Sequence, residues 1–138
     1  MDEMSVVIML KDKDTGFLEK ELGSYKITEN ENLIVNIYAE ETADSCLCHM
    51  KVSTDYEPED WEFEAIYDYY DNEIFGGEVL SLLEVEDCFN PTWEMVFDFC
   101  DDIYVMESKI SRLLKIHENE LKSVYSLIAD KKDEYEEK

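Results

Sequence analysis

No lysine or arginine occurs between Lys51 and Lys109, a gap of 57 residues that nevertheless holds 18 Asp and Glu. Three quarters of the net charge of −24 therefore falls in one block. A surface so poor in cations offers little to DNA, RNA or anionic lipid, which are held by Lys and Arg. Glycine is scarce too, at four residues, which argues against a glycine loop cradling nucleotide phosphates, and no G-x-S-x-G occurs. No stretch approaches the roughly 20 apolar residues that span a bilayer. The longest early apolar run, Ser5 to Leu10, is too short for a signal-peptide core and follows Asp2 and Glu3 in place of a basic region. The expected location is the cytoplasm, with Cys46, Cys48, Cys88 and Cys100 as reduced thiols.

What the chain does contain is aromatic. Both tryptophans and 12 of the 17 aromatic residues lie in the same acidic block, so its charge must decorate something that folds. With 138 residues and 45% hydrophobic content, a single domain over 1–138 is expected, burying roughly 65 to 70% of the surface its unfolded chain would expose. Self-repulsion in the compact state should make stability rise with salt.

The first half reads as strands: Met4 to Lys11, Phe17 to Thr28 with a bend at Gly23, Leu33 to Glu40, and Cys46 to Ser53, separated by breaks at Gly16 and Glu29 to Asn32. From Asp60, Trp61, Phe63, Ala65 and Tyr67 alternate with Glu62, Glu64 and Asp68, which predicts a half-buried strand. A helix competes, because Phe63, Ile66, Tyr67, Tyr70 and Ile74 recur at three and four and Pro58 suits a helix start. The strand is preferred for its aromatic content. After Gly76-Gly77, Val79 to Glu86 and Thr92 to Cys100 predict a hairpin around Asn90-Pro91, with Trp93, Met95, Phe97 and Phe99 on one face and Glu94, Val96 and Asp98 on a wet one.

From Asp101 the spacing turns helical. Met106, Ile110, Leu113, His117, Leu121, Val124 and Ile128 form one stripe, and Asp101 and Asp102 suit a helix N-terminus. At about 1.5 Å per residue, Ile103 to Ile128 would run roughly 39 Å, so its end is expected to project or to form a homodimer with a second copy through this C-terminal helix. Asp130 to Lys138 reads as a fraying charged tail. The fold class expected is α+β: an antiparallel sheet of six to seven strands over residues 1–100 and one long C-terminal helix packed across a face.

Chemical motifs are weak. Cys46, Cys48 and His49 cluster, but in a strand His49 points away from both thiols, and Cys88 and Cys100 lie far apart on the hairpin, so buried thiols are preferred to zinc. Asp12 to Gly16 resembles a calcium loop with its glycine one place early, and a turn explains it better. Weak calcium binding at Asp68, Asp71 and Glu73, or at Asp98, Asp101 and Asp102, stays open. His117 lies on the apolar stripe and reads as a core histidine. No cofactor is expected, and no catalytic residue is assigned.

The stretches KDKDTGFLEKELGSY (11–25), EDWEFEAIYDYYD (59–71) and NPTW (90–93) resemble a family of short acidic bacterial proteins of unknown function. The resemblance spans most of the chain and carries over no functional residue.

The function expected is a non-enzymatic interaction module for a basic protein partner, with no direct nucleic-acid or membrane contact. Its contact residues would be the outward carboxylates Glu62, Glu64, Asp68, Glu84, Glu86, Glu94 and Asp98, with Tyr69 and Tyr70 as aromatic anchors. The alternatives are a nucleic-acid mimic that inhibits a DNA- or RNA-binding enzyme, an enzyme without a recognisable motif, and a face that is only solubilising.

Overall fold

The computed structural model describes residues 4–136. Four strands open the chain: β1 (Met4–Lys11), β2 (Leu18–Ile27), β3 (Ile34–Glu41) and β4 (Cys46–Ser53). Helix α1 (Asp60–Tyr69) follows, then β5 (Ser81–Val85), β6 (Thr92–Asp98), the long helix α2 (Ile103–Ile128) and the short α3 (Lys132–Glu136). The strands form one sheet in the order β2-β1-β3-β4-β6-β5.

That sheet is mixed, which corrects the expected purely antiparallel pairing. The turn after Asp12 returns β2 along β1: the Asp12 carboxylate accepts the backbone N–H of Asp14 at 2.7 Å and Thr15 at 3.2 Å, and Gly16 takes a positive φ of 77°. From β2 the chain passes to the far side of β1, through a short 3-10 turn at Glu31–Leu33, so β3 runs parallel to β1. The remaining neighbours pair antiparallel.

Residues 60–69 are helical, and this overturns the strand reading and limits the sheet to six strands. The three-and-four spacing prevails over the alternation because a partner layer exists for it. Ala65, Ile66 and Tyr70 are buried, and the Tyr67 and Tyr70 rings lie 5.3 and 4.2 Å from that of Trp93 on β6. A capping interaction fixes the start, since the Glu62 carboxylate accepts the backbone N–H of Glu59 at 2.9 Å.

Strand parity places Ile8, Ala39, Cys48, Met50, Met95 and Phe97 on the side where α1 and α2 pack, all of them buried. Helix α2 begins at Asp102, whose carboxylate accepts the N–H of Tyr104 at 2.9 Å and Val105 at 3.1 Å. All seven stripe positions from Met106 to Ile128 are buried, together with Leu114. The apolar stripe does not project: it is covered by its own chain to its last residue. Beyond it the predicted fraying tail turns back as α3 onto α1, where the Tyr135 hydroxyl donates to Asp68 at 2.7 Å, while residues 137 and 138 of that tail lie outside the described residues. On α2, Glu107 reaches the outer edge of the sheet and accepts the backbone N–H of Lys26 on β2 at 2.7 Å. Among the described residues no helix is long and apolar enough to cross a membrane.

Candidate functional site

The carboxylates read as one strand-borne face fall into three places. Glu62, Glu64 and Asp68 sit on α1, where Glu62 is taken up by the helix start and by the Tyr56 hydroxyl, 3.1 Å away. Glu84 lies on the edge strand β5 beside Asn72, and Glu86 in the turn that follows. Glu94 and Asp98 are on β6 with opposite parity to Trp93, so they look out from the sheet face that the helices leave bare. The two aromatic anchors also separate. Tyr69 is exposed with Lys131 Nζ 5.5 Å from its ring centre, whereas Tyr70 is buried and unable to meet a partner.

Tyr70 belongs instead to a sealed polar cluster. His117 donates from Nε2 to the Ser53 carbonyl oxygen at 2.8 Å, which leaves Nδ1 to accept the Tyr70 hydroxyl at 2.7 Å. Burial drives the imidazole down to about 4, with the Ser53 carbonyl and Asp55 pulling weakly the other way, so the ring is neutral at pH 7. Fully buried and satisfied at both nitrogens, it is a core histidine. The soft-ligand cluster divides as strand parity predicts. Cys48 is buried on the helix side, with its thiol pushed up to about 12 by burial, and His49 faces the opposite side.

Two of the surface clefts bear on function. One, of about 680 Å3, lies between α1 and α3 and is walled by Glu57, Glu59, Asp60, Glu64 and Glu136 around Trp61 and Tyr135. The two rings are 6.4 Å apart at 38°, Trp61 is half-buried, and its Nε1 donates to Glu59 at 3.2 Å. Lys132 stands at the rim, 3.9 Å from both Glu59 and Glu136. The cleft is thus a box of carboxylates with aromatic surfaces, the chemistry that receives an ammonium or guanidinium group.

The other cleft, of about 580 Å3, lies between the start of α2 and the segment leading into β5, with Leu80, Phe97, Tyr104, Val105 and Met106 as its apolar wall. Its two cations are engaged within the chain. Arg112 donates through Nε and Nη2 to Glu78 Oε1 at 3.1 and 3.0 Å, and Lys109 donates to the same oxygen at 3.1 Å and to the Glu78 backbone carbonyl. Arg112, and then Lys109, hold the Glu78 carboxyl below its ordinary range.

Of the residues expected to make contact, only Glu64 lines the acidic cleft, with Asp68 joined to its wall through Tyr135. Glu57, Glu59, Asp60, Trp61, Tyr135 and Glu136 were not foreseen. For those at the start of α1 the signal was the Glu59-x-x-Glu62 spacing after Pro58, a helix start written with Glu in place of the usual Ser or Thr; Tyr135 and Glu136 had none. No characterised protein and no solved structure matched the chain. A family described only as a family of unknown function (DUF6762) matches residues 1–136, and the chain belongs to that family.

Proposed function

We propose that this protein is a non-catalytic interaction module whose cleft between α1 and α3 takes a basic segment of a partner protein. The observation that carries this reading is the convergence of five carboxylates and two aromatic side chains on one cleft of about 680 Å3, in a region where Lys132 is the cation at the rim. A Lys or Arg side chain entering there meets charge-assisted acceptors and ring faces together. The long range of the −24 charge raises the rate of encounter with a cationic partner, and the cleft gives the encounter a fixed end point. Neither histidine argues for catalysis. His117 is sealed in the core, and His49 lies outside both clefts, between Glu40 and Glu94.

The test is titration of the full chain with an Arg/Lys-rich peptide, read by calorimetry at about 20 and 300 mM salt. Binding should weaken steeply with salt. Charge reversal at Glu57, Asp60 and Glu64 to Lys should abolish it, and the same reversal at Glu84, Glu86 and Asp87 should leave most of it. Equal losses from the two triple variants would reduce the attraction to diffuse charge and refute the cleft as the site.

A further inference from the structure

We infer that the sheet face turned away from the helices is a docking surface for a second copy of this chain, in a face-to-face twofold dimer. It is a different surface from the acidic cleft, and independent of the reading given to that cleft.

Among the described residues, no element packs over this face. Val7, Met9, Tyr38, His49, Glu94 and Val96 all look outward by strand parity and are exposed or half-buried, although their strand neighbours on the other side are buried. Leu18 and Leu83 add exposed apolar side chains near its two edges, each opposite an outward-facing partner, Lys11 and Glu94. Six strands about 4.8 Å apart and some eight residues long span roughly 25 to 30 Å in each direction. That is on the order of 700 Å2 per copy, close to the roughly 800 Å2 per partner of a stable interface.

Charge selects the occupant. In a chain of −24, this face carries Lys11, Lys26 and Lys51 against Glu21, Glu40, Glu94 and Asp98, a balance within one charge of neutral. Two copies repel each other through the rest of their surface and least of all here. A basic partner gains little from this face, because its charges nearly cancel and Glu40 and Glu94 already meet His49. His49 lies 2.7 Å from Glu94 and 3.5 Å from Glu40, its ring stacks on Tyr38 at 4.9 Å, and Lys11 caps Tyr38 at 4.5 Å.

The two wings of the face differ in sign as well. Lys11 and Lys26 lie on the β1–β2 side, while Glu94 and Asp98 lie on β6. A twofold axis running along the strand direction, in the plane between two facing sheets, lays each cationic wing over the partner's anionic wing. Stacked sheets of this kind align within about 30° and interdigitate their side chains over a spacing of about 10 Å. The contact is isologous, so it closes at two copies.

Sedimentation equilibrium of the full chain in about 150 mM salt should give a species of twice 16.3 kDa that dissociates on dilution. The double substitution Val7→Glu with Leu83→Glu, at two exposed positions, should give a 16.3 kDa monomer with an unchanged far-ultraviolet circular dichroism spectrum. Lys11→Glu, at the height of Asp98 on the strand that the axis lays over β6, should weaken the dimer by at least tenfold, and Lys11→Glu combined with Asp98→Lys should restore it. A wild-type chain that stays monomeric up to about 200 μM, a dimer that survives Val7→Glu/Leu83→Glu, or a charge swap that fails to recover association would each overturn the proposal.

Discussion

The Tyr70 hydroxyl hydrogen-bonds Nδ1 of His117 at 2.7 Å, and both rings pack on Trp93, at centroid distances of 4.2 and 5.3 Å. One contact thereby joins the end of α1, the middle of α2 and the interior strand β6. It is the polar rivet of a largely apolar core.

That rivet makes folding sensitive to acid. The folded His117 has its pKa lowered to about 4 against 6.5 when unconstrained, so between these values the unfolded chain binds the extra proton. Its contribution is fully present above pH 6.5 and is lost as pH falls toward 4, amounting to about 3 kcal/mol. Urea denaturation of wild type and His117→Gln from pH 4 to 7 should show this part of the slope in the wild type alone. Parallel slopes in the two proteins would rule it out.

Helix α1 depends on Glu62, whose carboxylate holds the Glu59 N–H and the Tyr56 hydroxyl. Replacement by Ala should cost about 1 kcal/mol, whereas Glu64→Ala two residues on, at an exposed position, should stay within about 0.5 kcal/mol. Chemical denaturation followed by circular dichroism compares the two, and equal effects would deny Glu62 a capping role.

Gly23 on β2 faces the ring of Tyr25, and a Cβ at that position would run into the phenol. Gly23→Ala should therefore destabilise by about 1 to 3 kcal/mol, as overpacking does. Recovery in the Gly23→Ala/Tyr25→Phe double variant should be partial, because the hydroxyl is the atom nearest the added methyl and the ring carbons come next. Thermal melts of the three proteins decide it.

Much of the fold was legible because two periodicities were clean. Strands β1 and β4 match their expected bounds, and the α2 stripe was readable from Met106 to Ile128. The failure at 60–69 arose because Trp61, Phe63, Ala65 and Tyr67 fit a strand while Phe63, Ile66, Tyr67 and Tyr70 fit a helix over the same short segment. Only the site on the helix side of the sheet, where Trp93 receives Tyr67 and Tyr70, resolves that ambiguity, and it is non-local. The same distance in sequence hid the candidate cleft, since nothing near Trp61 announces that Tyr135 returns to it. Parallel pairing of β1 with β3 was likewise invisible, because side-chain alternation is the same in both strand directions. Most of the central carboxylates are exposed, but a helix, an edge and a bare sheet face cannot make one plane.

The Glu107 carboxylate on the Lys26 amide has a consequence for how the molecule behaves when concentrated. Strand β2 is a ten-residue border of the sheet, the kind of template on which further chains can add end upon end. With a helix side chain occupying one of its donors, a newcomer cannot zip along that border without first evicting an anion. The opposite border, β5, is only five residues long. Runaway fibre growth is thereby checked at both margins, and assemblies of this chain are steered toward small, finite particles.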